Sequence, residues 1–336
     1  MERAMLCPQC GAPLAPHHFA RSIVCTFCGV TVRLDESSVA AAKFHEAFRI
    51  WNSPESYPIS SWVSIGNNHW ALGQCIAQGD ISEVYLAQRA RWPSELAILK
   101  LLRDPQGRAL FDNEWDALQT LHQSDARGAD VFTMLIPQTI LHDDITAGSL
   151  TGRRASIFRW ESGFHHTFAA VMRVYPRGIP PRASIWIWRR ILEILSFIHA
   201  SGMAHGAVLP AHLLTQENEH GVRLVGYSCA GRLGDKLRAI ARGCESFYPQ
   251  PAKSWSTLTA QLDLVMSARC IVAILGGNPA TADLPATVPS PLATIIQRVA
   301  LAQSASEDVW AIRQELGEMA NQVFGAPQFI PIVMPT

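Results

Sequence analysis

The chain has 336 residues, enough for two domains or for one large domain with an accessory module. Lys plus Arg and Asp plus Glu both number 28, so the formal net charge is zero, while 48% of residues are hydrophobic. This composition excludes a disordered chain, and the balanced charge argues against broad capture of nucleic-acid phosphates.

The N-terminal residues 1–13 carry mixed charges, and no apolar run of signal-peptide length follows them. The most apolar internal run, residues 270–275, is too short to cross a bilayer. We therefore expect a cytoplasmic protein without a membrane segment. In that compartment cysteines bind metal or lie buried more often than they form disulfides.

Four cysteines within the first 28 residues form two close pairs, each followed by a glycine. Two residues separate the members of a pair, so both sulfurs can face one ion, and the glycine frees the backbone for a tight turn. Two such pairs supply four soft ligands, which suits tetrahedral zinc. The predicted metal ligands are Cys7, Cys10, Cys25 and Cys28.

This cysteine pattern resembles the zinc-ribbon family over about residues 1–35. Short strands are expected at residues 22–24 and 30–34, on either side of the second pair. The zinc would be structural, because so small a core does not fold without metal and all four ligand positions are filled. Zinc ribbons bind nucleic acid or protein, and acidic residues balance the arginines here, so we expect a protein partner.

Residues 37–51 have aromatic side chains at helical spacing, which predicts a helix. Residues 52–62 contain two prolines and four serines, a composition typical of a linker. We therefore place the boundary of the large domain there, with the helix and linker covering residues 36–67.

The large domain begins with a predicted hairpin. Apolar residues alternate over residues 70–86 around a turn at Gly79 and Asp80. A strand over residues 95–102 carries Lys100 within an apolar run, and a helix over residues 109–122 carries Glu114. Lys100 and Glu114 are either an internal ion pair or two separate surface charges, and their spacing alone does not decide between these.

In this order the motifs resemble the protein-kinase superfamily over about residues 70–319. Gly79 and Val84 stand in a segment similar to the glycine-rich loop. The resemblance implies that Lys100 is the lysine that pairs with phosphates and that Glu114 is its partner on the regulatory helix. These four residues are the candidate nucleotide-binding set.

The C-terminal half continues the resemblance. Residues 169–178 look like the fifth strand and hinge, and residues 185–206 look like the long helix that enters the catalytic loop. Residues 263–279 resemble the central helix, with Asp263 as the brace of the catalytic loop. The closing helices lie at residues 291–316 and include Arg298, whose usual glutamate partner is replaced.

The catalytic positions depart from the family. Where a kinase has its catalytic Asp, its metal-binding Asn and its second metal-binding Asp, this chain has Ala207, His212 and Gly226. We therefore expect no magnesium site and no catalytic residue. His212 acting as a substitute base or metal ligand is the alternative.

Nucleotide binding is a separate question. Ala77 and Ser82 replace two loop glycines, and Ile98 stands where the family has a small residue above the adenine. Weak binding of ATP without metal, and a cleft that is empty or filled by the protein's own side chains, both stay open.

Residues kept from the family are architectural. His205, Tyr227 and Leu118 occupy positions of its hydrophobic spine. The activation segment, about residues 226–250, contains a basic stretch that the pattern predicts as helical, either a solvated face or a docking surface. Trp186 and Trp188 are either helix core or part of a binding patch.

These observations predict an α+β protein with a two-lobed kinase-like fold at residues 68–325, a preceding zinc-ribbon β module and a C-terminal tail at residues 326–336. We expect a catalytically impaired kinase that acts as a protein-binding scaffold or allosteric regulator in signalling. The alternatives are an active atypical serine/threonine kinase or ATP switch that uses Lys100, and a zinc-ribbon adaptor for nucleic acid.

Overall fold

The computed structural model describes residues 22–25, 31–33, 61–90, 96–161, 163–216, 221–249, 257–303 and 308–334. Within these ranges strands dominate the first half of the large domain and helices the second. This mixed content agrees with the predicted α+β class.

Near the N-terminus, strands β1 (Ser22–Val24) and β2 (Thr31–Arg33) form an antiparallel hairpin. They lie where strands are expected on either side of the second cysteine pair, and Cys25 is buried. The other three predicted ligands and the predicted helix at residues 37–51 lie outside the described residues, so the zinc site stays a prediction.

The N-terminal lobe is a closed barrel with the strand order β3-β4-β5-β6-β8-β7. All of its pairings are antiparallel. Its strands are β3 (Ser61–Ile65), β4 (Asn68–Gln78), β5 (Ser82–Arg89), β6 (Leu96–Leu102), β7 (Thr139–Gly148) and β8 (Arg154–Arg159). The hairpin predicted at Gly79 is confirmed, because β4 pairs with β5.

The barrel begins earlier than the boundary expected near residue 68. Strand β3 pairs with β4 and also with β7, which closes the sheet. Gly148 permits that closure, because its φ is +107° and a Cβ there would lie 2.3 Å from the carbonyl oxygen of Trp62. Residues 61 and 62, expected in the linker, therefore belong to the lobe.

Two helices of the described residues lie within the first half of the chain, and five more follow from Phe168 onward. The α-helices are α1 (Arg108–His122), α2 (Ala129–Phe132), α3 (Phe168–Val174), α4 (Pro181–Ala200), α5 (Ala260–Ile274), α6 (Ser290–Ala300) and α7 (Val309–Phe324). Short strands line the region of the catalytic loop. These are β9 (His166–Thr167), β10 (Met203–Ala204), β11 (Leu213–Thr215), β12 (Val222–Leu224) and β13 (Gly231–Arg232).

Two hydrophobic cores follow from this arrangement. A small core fills the barrel around Trp70 and Leu99. A much larger core surrounds α4 and α5 and reaches α1 through Leu118. Trp188 is buried in this second core, which favours the helix-core interpretation for that residue. Trp186 is also buried but lies outside this core, with its ring stacked on Phe329.

Two local predictions are wrong. Residues 169–178 are not the fifth strand and hinge, because Phe168–Val174 is helix α3, begun by the Thr167 hydroxyl accepting the Ala170 N–H. The strand that pairs with the Lys100 strand is β8. The basic stretch of the activation segment is not helical either, because β13 pairs with β10 and Lys236 bridges to Thr257.

No helix within the described ranges combines the length and the apolar content needed to span a bilayer.

Candidate functional site

Lys100 and Glu114 form an internal ion pair. Lys100 lies in the middle of β6, between Val84 on β5 and Ser156 on β8. Its Nζ lies 2.5 Å from Glu114 Oε2, and the two side chains are 13% and 4% exposed. The other carboxylate oxygen, Oε1, accepts the Tyr227 N–H at 3.1 Å. The structure thus decides the question that spacing left open.

The β4–β5 hairpin lies next to this pair, and the backbone at its Gly79 does not require a glycine. The Gly79 N–H donates to the Ser82 carbonyl at 2.8 Å. A Cβ on Gly79 would meet only that carbonyl oxygen, at 3.7 Å. Val84 pairs with Ala77 and with Lys100 and is half-buried. The structure brings Gly79, Val84, Lys100 and Glu114 to one end of the barrel.

Large apolar side chains stand beside Lys100 on the sheet. Ile98 pairs directly with Phe158 on β8 and packs against the large core. Because residues two apart on a strand point to the same face, Ile98 and Lys100 share a face. Apolar bulk therefore occupies the space next to the lysine, as expected from the replacement of the family's small residue.

One carboxylate holds the backbone of residues 205–206, the segment predicted to correspond to the catalytic loop of kinases. Asp263, at the start of α5, is fully buried. Its carboxylate accepts the His205 N–H and the Gly206 N–H, each at 2.8 Å. These two hydrogen bonds are the contacts that the role predicted for Asp263 requires.

The position of the catalytic Asp, Ala207, is buried and carries no polar side chain. Its carbonyl oxygen accepts a hydrogen bond from His212 Nδ1 at 2.7 Å, which turns the imidazole back into the loop. The loop therefore satisfies its own polar groups.

His212 fills the space where a side chain at position 226 would lie. Gly226 has a φ of +80°, and a Cβ built on it would lie 2.6 Å from His212 Cδ2 and 2.7 Å from Nε2. Because Nδ1 donates to the Ala207 carbonyl, Nε2 carries the lone pair. The two replaced positions, 212 and 226, are thus fitted to each other.

Burial disfavours the charged form of both imidazoles in this region. Burial lowers the pKa of His205 to about 4, although Asp263 opposes the shift. Burial also lowers the pKa of His212, helped by the positive charge of Lys100. His205 Nδ1 accepts the Ala207 N–H, and Nε2 donates to the Val225 carbonyl at 3.1 Å, which fits a single neutral tautomer.

The residues present do not fit a magnesium site. Magnesium prefers oxygen ligands, whereas Ala207 and Gly226 offer no side-chain oxygen and His212 offers nitrogen. The Glu114 carboxylate is committed to Lys100 and Tyr227. Among the described residues, no group of three or more side chains of metal-ligand type comes together.

Two of the three residues predicted to form the spine are in contact. The rings of His205 and Tyr227 meet edge to face with centroids 4.5 Å apart. Both residues and Leu118 on α1 are fully buried.

Sequence reasoning missed two anchors of the activation segment. Arg269 on α5 donates from Nη1 to the carbonyls of Ser246 and Tyr248, at 2.8 and 2.6 Å. Arg298 pairs with Glu315 on α7 instead of with the segment. An arginine inside an otherwise apolar helix was the available signal, since a buried charge requires partners.

The second missed anchor is Asn113, next to Glu114 on α1. Its Nδ2 donates to the carbonyls of Ser228 and Ala230, at 2.9 and 2.8 Å. Together with the Glu114 contact, this ties α1 to the start of the activation segment.

Comparisons with known proteins give a fold and no close relative. No family model matches the chain, and no curated protein matches it. Among solved structures, the crystal structure of the BubR1 kinase domain is similar, with a TM-score of 0.58 and 15% sequence identity. The match covers 85% of this chain and 92% of that one. The chain therefore has a kinase-like fold.

Proposed function

We propose that this protein is a catalytically impaired kinase-like protein that acts as a protein-binding scaffold or allosteric regulator. The observation that carries the proposal is the fit between His212 and Gly226, in which an imidazole occupies the space of a metal-binding carboxylate. A cleft that had merely lost its acids would leave that space open. Here another side chain fills it.

The electrostatics of the cleft support the same proposal. Phosphoryl transfer depends on positive charge placed around the transferring phosphate. Lys100, paired with Glu114 at 2.5 Å, is the cation at this point, and positions 207 and 226 supply no side-chain oxygen to hold a metal ion beside it. Loss of one catalytic group typically lowers the rate by a factor of about 100 or more. Three such positions are changed in this chain.

The surface that we assign to the partner is the central part of the activation segment, residues 231–245. Its exposed side chains include two apolar residues, Leu233 and Ile240, four basic ones and two acidic ones, Asp235 and Glu245. The basic residues are Arg232, Lys236, Arg238 and Arg242.

Hydrogen bonds hold this surface in place. Asp235 Oδ2 accepts the Arg232 N–H at 3.1 Å, and the Tyr248 hydroxyl accepts the Ala241 N–H at 3.3 Å. Arg269 holds the segment's end through two carbonyls. A fixed surface of basic and apolar side chains suits an acidic, partly apolar protein segment.

The test is affinity capture from the protein's own cells, comparing variants. Leu233→Glu with Ile240→Glu should reduce recovery of the partner at least about 10-fold, because charge is placed in the apolar centre of the surface. Val131→Glu is the matched control, since Val131 is a similarly exposed apolar residue on α2. Equal recovery with all three proteins would contradict the assignment.

A structural zinc at Cys7, Cys10, Cys25 and Cys28 is part of the proposal. The spacing of the cysteines and the hairpin β1–β2 support it. Metal analysis of the purified chain should give one zinc per molecule, and Cys7→Ser should lower that content. A metal-free wild-type chain that keeps its fold would overturn this part.

The second candidate is an ATP-dependent switch or an atypical kinase. The formed Lys100–Glu114 pair favours it, because active kinases also require this pair. His212 Nε2 would then be the base, since its Nδ1 is held by the Ala207 carbonyl. Nucleotide binding that depends on Lys100 separates the two candidates.

A further inference from the structure

A half-open groove lies far from the cleft, between α4 and α7. The C-terminal residues Gly325 and Pro327 form one rim, and Arg182, Arg189 and Asn321 supply its polar atoms. Apolar side chains supply the rest of the lining, chiefly Ile185, Trp186 and Phe324. The enclosed space holds only a few atoms, so a ligand would insert one end and leave the remainder along the open side.

Arg189 is the unusual member of this lining. Within the described part of the chain, no carbonyl or carboxylate accepts a hydrogen bond from its guanidinium, although five N–H donors are present. Burial lowers the pKa of Arg189, and the positive charge of Arg313 lowers it further. Arg189 is half-buried, so its guanidinium is partly withdrawn from water without an acceptor among the described residues, and an anion in the groove would offset that cost.

The carboxylate that acts on Arg189 is hydrogen-bonded to two other arginines. Glu193 is the carboxylate that acts on it, but both oxygens of Glu193 are engaged. Arg190 Nη1 donates to Oε2 at 2.6 Å, and Arg313 Nε donates to Oε1 at 2.7 Å. Arg190 and Arg313 therefore occupy both oxygens of Glu193.

The groove is also built to keep Arg189 accessible. Gly317 on α7 faces the guanidinium, and a Cβ there would lie 3.9 Å from Arg189 Cζ. A glycine within a helix lowers stability by roughly 0.5–1 kcal/mol relative to alanine. At position 317 the missing side chain leaves space in the groove beside Arg189. Arg182 is already fixed to the tail through the Ala326 carbonyl and Gln328, and it adds charge without closing the groove.

We infer that this groove binds a small carboxylate with an apolar body, whose carboxylate meets the Arg189 guanidinium while the apolar part lies against Trp186 and Phe324. A planar carboxylate can accept two parallel N–H bonds from one guanidinium, which makes it a better match than a single-point acceptor. This site is independent of the function proposed for the cleft and the activation segment.

The test uses sodium phenylacetate as probe and phenylacetamide as its neutral counterpart, by calorimetric titration of the full chain at constant ionic strength. Phenylacetate should bind at least about 10-fold more tightly than phenylacetamide, because a charge-assisted pair is lost in the amide. Inorganic phosphate is the third probe, and it should bind more weakly than phenylacetate because it has no apolar body.

Two variants test whether the probe binds in this groove. Arg189→Leu should weaken phenylacetate binding at least about 10-fold while leaving the melting temperature unchanged or higher, since an unpaired charge is removed. Gly317→Leu should also weaken binding, because it fills the groove and keeps the guanidinium. Arg173→Leu on α3, an exposed arginine outside the groove, is the control and should bind as the wild type does.

Equal affinity for phenylacetate and phenylacetamide, no saturable binding of either, or unchanged binding by a folded Arg189→Leu variant would each overturn the inference. Phosphate binding as tight as phenylacetate binding would overturn the assignment of an apolar body.

Discussion

At position 226 the backbone takes a left-handed conformation, and the imidazole of His212 lies against the α-carbon. A side chain at 226 would need both a strained φ and the space that His212 occupies. The two residues therefore depend on each other, and a change at one should alter the cost of a change at the other.

A double-mutant cycle measures this dependence. Gly226→Ala should lower the free energy of unfolding by about 2–4 kcal/mol, combining left-handed strain with overpacking against His212. In a His212→Ala background the same change should cost only the strain, about 1–2 kcal/mol. Urea denaturation of the four proteins provides the values, and equal costs in both backgrounds would show that the residues are not coupled.

The buried His205 predicts a pH dependence of stability. Its pKa is about 4 in the folded protein and near 6.5 when unfolded, so between these values the unfolded chain binds more protons. Stability from this residue is present above pH 6.5 and is lost as pH falls towards 4. The loss between pH 7 and pH 5 should be about 2 kcal/mol.

Denaturation with urea at pH 5, 6, 7 and 8 checks the slope. His205→Leu should flatten it by about the amount assigned to this residue, and a variant with the wild-type slope would refute the assignment. The lowered pKa of His212 and of His142 adds to the total slope in the same direction, so the difference between proteins is the informative quantity.

At the scale of elements, helix α1 is fixed to the barrel and to the activation segment by adjacent residues. Glu114 joins Lys100 on β6 to the Tyr227 N–H, and Asn113 holds the carbonyls of Ser228 and Ala230. In this protein the ion pair therefore connects three elements: β6, α1 and the start of the activation segment.

If the ion pair is structural, apolar residues can replace it. Lys100→Met alone should destabilise the fold by about 3 kcal/mol, because Glu114 is left buried and charged. Adding Glu114→Leu should recover most of that loss, since a buried pair replaced by apolar side chains is often neutral in stability. Thermal and urea denaturation of both variants provide the test, and a double variant less stable than Lys100→Met would argue against it.

Elements with a strong local pattern could be predicted, and those set by distant contacts could not. The hairpin at Gly79, the Lys100 strand and helices α1, α4 and α5 follow from alternation or helical spacing. Residues 169–178 combine a short apolar run with a following Pro and Gly, which suits a strand or a helix equally. The N-terminal cap by Thr167 stabilises the helical alternative.

The same reason explains the other differences. Strand β3 has a serine-rich sequence after two prolines, and only its pairing with β7 near Gly148 makes it part of the barrel. The activation segment has helical spacing, but its backbone groups bond to β10 and to Thr257 instead. At the candidate site, the substitutions at 207, 212 and 226 were visible in the sequence, whereas the packing of His212 into the space at Gly226 required coordinates.

At the scale of the whole molecule, the chain has a kinase-like fold, and the residues at positions 207, 212 and 226 differ from those expected of an active kinase. The barrel and the α4–α5 core form a two-lobed fold similar to the BubR1 kinase domain. The bracing by Asp263 and the anchoring by Arg269 keep the loops of such a fold in position. The function that we propose therefore depends on the outer surface, above all on residues 231–245.

The central claim is that the cleft does not use magnesium and ATP for catalysis. The most direct measurement is transfer of labelled γ-phosphate to the chain itself and to a generic protein substrate, with Mg²⁺ or Mn²⁺, for the wild type and Lys100→Ala. We predict no transfer above the background of Lys100→Ala, and no thermal shift by ATP that depends on either metal. Metal-dependent transfer by the wild type that Lys100→Ala abolishes would contradict the account.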